Sequence, residues 1–374
     1  MNILVMANFK AEASGNFINS LIALGKAVQE LSWEMIYLFP LKDDGSECGW
    51  MDYIRAHGFK VLSLNENTPA NEQKQYVLQI IDENSIDLIH THFSCMNPLL
   101  LWDREIHQKV KILYHDHMDY LPDKPIPEQI KKQIKTAKRY REYGLGVISV
   151  MKKKHRGYFL APKRWYIPNG ITYQRNVERS KSREEMRALL QIKDDERLCL
   201  FLGWDIYRKG LDIAIRAVQE ARARGHNIIL GVVGFGSEPC EEYCERIKSV
   251  IGFDPFVEGV RFLDSEEDMF ALHRASDVFL SASRTEAFAY AILEAISQNV
   301  PVAVSDISGT KWSLRYSKSV KFHSGNIHQC ADAIIKAAAM RDEPSNHEEI
   351  TQKYNIDIWT QRVINVYRSM VKEG

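Results

Sequence analysis

The chain has 374 residues, 45% of them hydrophobic and 26% charged, with 20 Gly and 12 Pro. At roughly 150 residues per domain this is room for two to three domains, and it excludes a peptide hormone, a single small module, a disordered chain and a collagen-like repeat. The 49 basic and 49 acidic side chains cancel, so no global field draws the whole molecule onto nucleic acid or an anionic surface.

Short apolar runs alternate with stretches of helical period, the pattern of parallel sheets covered by helices, so the expected class is α/β. Ile3–Met6 reads as a buried strand, followed by a loop with Gly15 and a helix marked by Phe17, Leu21, Leu24, Val28 and Leu31. Met35–Phe39, Ile86–Ile89, Lys111–Tyr114 and Gly146–Val150 read as further strands. Pro168 and the Asn169-Gly170 pair then mark a turn, and the charged stretch Gln174–Glu185 follows, which puts a domain boundary there. Leu198–Leu202 opens a second series, with a helix over Leu211–Arg224 that Gly225 terminates. Strands follow at Ile228–Val233, Val260–Leu263, Val278–Leu280 and Val300–Val304, with helices near Glu266–Ala275 and Phe288–Gln298. The last stretch, 353–374, carries Ile358, Val363, Val366, Tyr367 and Met370 near helical spacing. The expected architecture is two doubly wound, Rossmann-like domains, 1–171 and 172–352, facing across a cleft, with ligands at the carboxyl ends of the strands. No apolar run approaches the roughly 18–20 residues of a membrane span, the N-terminus lacks signal-peptide character, and six cysteines show no CxxC pair, so a cytoplasmic protein with reduced thiols is expected.

Three strand ends in the second series carry residues suited to chemistry. In GWDIYRKGLD (203–212), Arg208 and Lys209 stand at the expected start of a helix, and two cations beside helix amides suit a diphosphate. In GFGSEP (234–239), Gly234 and Gly236 let a phosphate or ribose approach the backbone, although the third glycine of a dinucleotide fingerprint is missing. In SRTEAFAYAILEAISQNVPVAVSD (283–306), Glu286 is expected to begin a helix that carries Glu294 about two turns on, so both carboxylates can accept hydrogen bonds from vicinal hydroxyls in one cleft.

Together these segments resemble the retaining glycosyltransferases of family 4, which have the GT-B fold. The resemblance rests on Glu286-x7-Glu294, Arg-Lys-Gly-Leu-Asp (208–212), VVGFGS (232–237), VRFLDSEEDMFALHRASDVFLSAS (260–283) and IPNGI (167–171), in order. It implies an N-terminal acceptor-binding domain, a C-terminal nucleotide-sugar-binding domain, and a last helix crossing back to the N-terminal domain. It also implies that Glu294 holds the ribose, that Glu286 sits near the donor sugar, that the amides of Phe288, Ala289 and Tyr290 contact the sugar or diphosphate, and that Arg208 and Lys209 neutralise its charge. The chain departs from the family at Trp204, where an Arg is usual, and at Asp264, where a Gly is usual. In the first half, Gly15-Asn16 resembles the family's glycine-rich loop, IDLIHTHFS (86–94) its Asp-x-x-His-x-His strand, and ILYHDHMDY (112–120) the strand ending in a histidine that faces the donor, with His117 favoured over His115.

The implied reaction is transfer of a sugar from a UDP- or GDP-sugar to a glycan or lipid-linked glycan, in bacterial surface polysaccharide synthesis. Alternatives are a GT-B nucleotide-sugar epimerase and a non-catalytic sugar-nucleotide-binding subunit. No Asp-x-Asp triplet occurs, which fits a cationic clamp without an obligatory metal or other cofactor. His115-x-His117-x-Asp119 also resembles the metal motif of metallo-β-lactamase-like hydrolases, but Tyr120 stands where that motif needs His and the α/β pattern is not a β-sandwich, so no metal ligands are assigned. Between Lys131 and Arg164 there are twelve Lys or Arg and one acid, a stretch suited to electrostatic contact with an anionic membrane at its inner face. Base-reading motifs are absent, so no nucleic-acid partner is expected.

Overall fold

The computed structural model describes residues 1–11, 15–93, 100–117, 134–135, 138–151, 161, 163–172, 180–203, 205–264 and 269–371. Trp204 and residues 131–133, 136–137, 152–160 and 162 of the basic stretch lie outside the described residues.

The chain divides into two compact units, one of Met1–Met118, Pro122–Thr172 and Tyr354–Gly374, the other including Tyr173–Lys353. The first holds strands β1 (Asn2–Ala7), β2 (Glu34–Pro40), β3 (Lys60–Leu64), β4 (Leu88–His92), β5 (Lys111–Asp116), β6 (Gly146–Ser149) and β7 (Lys163–Tyr166). They form one sheet in the order β3-β2-β1-β4-β5-β6-β7, parallel throughout. Helices α1 (Gly15–Gln29), α2 (Trp50–Ala56), α3 (Ala70–Glu83) and α4 (Arg104–Lys109) also belong to this unit.

The second unit holds α5 (Arg183–Leu189), β8 (Arg197–Leu202), α6 (Ile206–Lys209), α7 (Leu211–Ala223), β9 (Ile228–Val233), α8 (Glu241–Ile251), β10 (Val260–Leu263) and α9 (Met269–Ala275). It continues through β11 (Val278–Ser281), α10 (Tyr290–Ser297), β12 (Val302–Ser305), β13 (Ser319–Phe322), α11 (Ile327–Ala339) and α12 (His347–Lys353). Its sheet is also parallel, in the order β10-β9-β8-β11-β12-β13.

Central strands form where the sequence is continuously apolar, because both faces of a parallel sheet are covered. All six residues of β9 are buried, as are Ile3–Ala7 of β1. Each sheet reverses its strand order between two neighbours, β1/β4 in one and β8/β11 in the other. The carboxyl ends at such a reversal flank the crevice in which doubly wound sheets take ligands. A last helix, α13 (Ile356–Val371), belongs to the first unit. Its Trp359, Val363, Ile364, Tyr367 and Met370 are buried in one cluster with Ile3, Val5, Ile18 and Leu21, and its start is tied by the bridge Ile171↔Asn355.

Candidate active site

In the second unit the chain leaves β8 through Gly203 and turns at α6, whose start is capped by the Asp205 carboxylate accepting from the Arg208 backbone N–H at 3.0 Å. The same carboxylate accepts from Arg208 Nε at 2.9 Å. Arg208 and Lys209 therefore stand at the end of a short helical turn, not at the start of the long helix as the sequence suggested. Gly210 separates them from α7 with φ 76°. A Cβ there would lie 2.3 Å from the Ala282 carbonyl oxygen, so only glycine lets α7 begin this close to the end of β11. Gly210→Ala should destabilise the protein by about 1–3 kcal/mol, the usual cost of a non-glycine residue forced into a strained conformation. Urea unfolding checks this, and unchanged stability would refute the close approach.

Lys209 Nζ donates to Glu286 Oε1, with Arg208 Nη1 3.8 Å from the same oxygen and Ser283 Oγ donating to it at 3.1 Å. Glu286 is buried. Burial alone would raise its carboxyl, but Lys209 and Arg208 outweigh it and hold the group below its ordinary value. Its position differs from expectation: Glu286 lies in the loop after β11, ahead of α10, which starts at Tyr290. The two carboxylates are therefore not two turns apart on one helix. Instead the 306–310 turn holds the Glu286 backbone, since a Cβ on Gly309 would overlap the Glu286 carbonyl at 1.8 Å.

Arg284, which no motif in the sequence singles out, ties this loop to α6. Its N–H donates to the Arg208 carbonyl at 2.8 Å, its guanidinium to Asp212 at 2.9 and 2.7 Å and to the Tyr207 carbonyl at 2.6 Å, and it lies 4.2 Å over the Tyr207 ring. An Arg beside a motif reads as one more solvated charge, and only the fold brings its partners, 72 to 77 residues away, into reach.

No side chain caps α10 at Ala289, the arrangement in which first-turn amides suit an anion. Phe288 stacks on Trp312 with ring centroids 4.5 Å apart. Lys209, Ser281, Ser283 and Ala289 line one pocket. Glu294 lies within α10, its Oε2 3.4 Å from Nε2 of the fully buried His273. Gly234 and Gly236 turn the chain after β9 with φ 129° and 80°. Asp264, the residue that departs from the resemblance, accepts from Ser237 N at 2.8 Å and Ser237 Oγ at 2.6 Å, and these bonds hold its carboxyl below the ordinary value. It clasps the glycine turn.

In the first unit Gly15 opens α1 with φ 52°, and its carbonyl accepts from Asn19 Nδ2 at 2.6 Å. Strand alternation puts His90 and His92 of β4 on the same sheet face as His115 of β5 and His117 just after it, and β4 pairs with β5 at His92↔His115. His90 Nδ1 is 2.6 Å from the Tyr367 hydroxyl, His90 Nε2 3.2 Å from His115 Nδ1, and His92 Nδ1 2.9 Å from His117 Nε2. Burial pushes His90 and His117 down to about 3 and His92 and His115 well below their ordinary value, so all four are neutral at pH 7. His115 is fully buried, with its ring stacked 6.1 Å from Trp359. His117 is half-buried beside Phe17 and Phe93 and bonded to the Asn169 side chain.

Residues 182–354 match the family model described as Glycosyl transferases group 1. The chain is 26% identical to an uncharacterized glycosyltransferase of Methanocaldococcus jannaschii, over 49% of this chain and 47% of that one. It is 31% identical to the lipopolysaccharide glucosyltransferase WaaG of Escherichia coli K12, over 42% and 41%. The chain thus spans about half the length of the curated relatives it matches. Among solved structures, a glycosyltransferase from Rickettsia africae superposes with a TM-score of 0.75 at 15% identity, covering 100% of this chain and 99% of that one. HepE of Anabaena in complex with UDP-glucose superposes with a TM-score of 0.73 at 17% identity, covering 99% and 100%. The fold is GT-B.

Proposed function

We propose that the chain is a retaining glycosyltransferase of family 4 that moves a hexose from a nucleotide diphosphate to a glycan or lipid-linked glycan acceptor, in bacterial surface polysaccharide synthesis. The observation that carries this reading is the meeting of Lys209, Arg208, Ser283 and a buried, ionised Glu286 in the unit that matches the Glycosyl transferases group 1 model. A lipopolysaccharide glucosyltransferase, WaaG, among the relatives and UDP-glucose bound to HepE among the similar structures support it in acceptor and donor class.

In the reaction the bond from the anomeric carbon to the diphosphate breaks, the acceptor oxygen bonds that carbon from the same face, and the acceptor's proton passes to the departing phosphate. Charge therefore grows on the diphosphate. Arg208, Lys209 and the amides of Phe288, Ala289 and Tyr290 stabilise it, a preorganised contribution usually larger than proton transfer. Because Asp205 and Glu286 already neutralise both cations, the diphosphate competes for Lys209 and frees Glu286 to accept sugar hydroxyls. Glu294 takes the ribose, Gly234 and Gly236 admit the nucleotide to the backbone, and the clamp holds a UDP- or GDP-sugar without a metal. Gly15 takes part in binding the nucleotide-sugar, and His117 acts in transfer. No helix among the described residues is long and apolar enough to cross a membrane, and the 131–164 cations are proposed to dock on anionic lipid from the cytoplasmic side.

Thermal shift with UDP, GDP, ADP and CMP, each with and without EDTA, tests the donor site. A nucleotide at 100 times its dissociation constant adds about 2.7 kcal/mol. The expected result is stabilisation by UDP or GDP whose increment EDTA leaves intact and Glu294→Ala abolishes. If no nucleotide raises the melting temperature, the donor assignment fails. Nucleotide diphosphate release that rises with added acceptor identifies transfer, whereas an epimerase releases little and a binding subunit none.

A further inference from the structure

We propose that His90, His92 and His115 hold a divalent metal ion of the zinc class, at a site separate from the diphosphate clamp. The three side chains are fully buried, and one ring nitrogen from each can be taken so that all lie within 4.8 Å of one another. His90 Nε2 and His115 Nδ1 are 3.2 Å apart, close to the ~3.3 Å that separates two nitrogens bound at ~2.0–2.1 Å to one tetrahedral ion.

The proton count supports the same reading. A neutral imidazole has one N–H and one lone pair. Nδ1 of His90 faces the Tyr367 hydroxyl and Nδ1 of His92 faces His117 Nε2. With both Nδ1 atoms protonated toward these outer partners, both Nε2 lone pairs turn inward, and metal-bound histidines are oriented by outer hydrogen bonds of this kind. His92 Nε2 is buried with no hydrogen-bond partner, and the lone pair of His115 Nδ1 lies beside His90 Nε2. Orphaned polar atoms are rare in native interiors, and lone pairs gathered this closely are what a cation accepts.

The donor set selects the ion. Imidazoles suit zinc, cobalt, nickel, copper or iron rather than the oxygen-seeking magnesium or calcium. The nearest carboxylate in the strand, Asp116, alternates to the other face of β5, where the Tyr114 hydroxyl donates to it at 3.4 Å. Three histidines leave a fourth position for water. The ion would join β4 to β5, reach α13 through Tyr367, and fix the rotamer of His117 through His92.

The test uses the full chain, stripped with a chelator, dialysed, and titrated with Zn2+ and with Co2+. One equivalent of cobalt should give the intense visible bands of a four-coordinate nitrogen site, zinc should displace it, and either ion should raise the melting temperature. His92→Gln and His115→Gln should abolish uptake, and Tyr367→Phe should weaken it about 10- to 100-fold by removing an outer partner. No stoichiometric uptake, a pale six-coordinate cobalt spectrum, or equal uptake by the histidine variants overturns the proposal. The wild-type spectrum decides it even if those variants do not fold. Stabilisation by UDP or GDP that persists in the stripped protein separates this outcome from failure of the transferase reading.

Discussion

Lys209→Ala lowers kcat/KM for transfer by about 10²–10³, or ~2.7–4 kcal/mol, the usual cost of removing one preorganised donor from a site of growing negative charge. The Lys209 ammonium binds Glu286, and its stem is seated against Gly203, where a Cβ would lie 2.6 Å from Lys209 Cγ. Removing it also leaves the buried Glu286 carboxylate with Ser283 at 3.1 Å and Arg208 at 3.8 Å. Burial, which raises the Glu286 carboxyl, is opposed chiefly by Lys209. In the wild type the group sits below 4.5 and stays ionised as pH falls to that value. In the variant the acid limb of the kcat/KM profile moves to higher pH, so activity lost at pH 7 is lost further toward pH 5. Because the two residues act as a pair, Lys209→Ala and Glu286→Gln should be strongly non-additive in a double-mutant cycle. A Lys209→Ala enzyme within about threefold of wild type in kcat/KM would mean that the pair only braces the loop.

The central strands were legible from sequence because continuous apolar runs mark strands covered on both faces. Three edge strands were not. In β3, β7 and β13, the runs KVLSL, KRWY and SVKF mix charge with apolar residues, and their exposure is partial, as edges require. β4 was placed too early, at Ile86–Ile89, because its second half is His90-Thr91-His92, which are polar yet fully buried. At the candidate site the residue types and their strand ends could be read from motifs. The partnership of Lys209 with Glu286 could not, because the two are 77 residues apart and meet only through the pairing of β8 with β11 at Leu200↔Phe279. Helix starts misled in a similar way. Phe288 and Ala289 continue the apolar pattern of α10, but Ala289 is extended with ψ 112°, so the helix begins later and Glu286 falls outside it.

Asp277→Ala should cost the second unit about 3–5 kcal/mol, because it strands several cations around a buried carboxylate that nothing else replaces. Asp277 has no exposed surface and precedes β11. One carboxylate oxygen accepts from Arg183 at 2.7 Å and Arg197 at 3.2 Å, the other from Arg187 at 3.0 Å and the Leu198 backbone N–H at 2.7 Å. The arginines are committed elsewhere as well. Arg183 donates to the carbonyls of Arg274, Ala275 and Ser276 at the end of α9, and Arg187 to those of Ala275, Lys193 and Glu196. The carboxylate thus joins α5, the start of β8 and the end of α9, while its own N–H donates to the Leu198 carbonyl at 2.8 Å. Arg187 is only 13% exposed, so water cannot take over for it, whereas Arg197 at 53% can rehydrate and should contribute little. Two comparisons follow from that difference. Arg197→Ala should cost under about 1 kcal/mol, and Asp277→Asn, which keeps one acceptor oxygen, should fall between it and Asp277→Ala. Urea unfolding followed by a probe in the second unit measures all three. A loss below about 1 kcal/mol for Asp277→Ala would show that the arginines find other partners and that the carboxylate is dispensable to this unit.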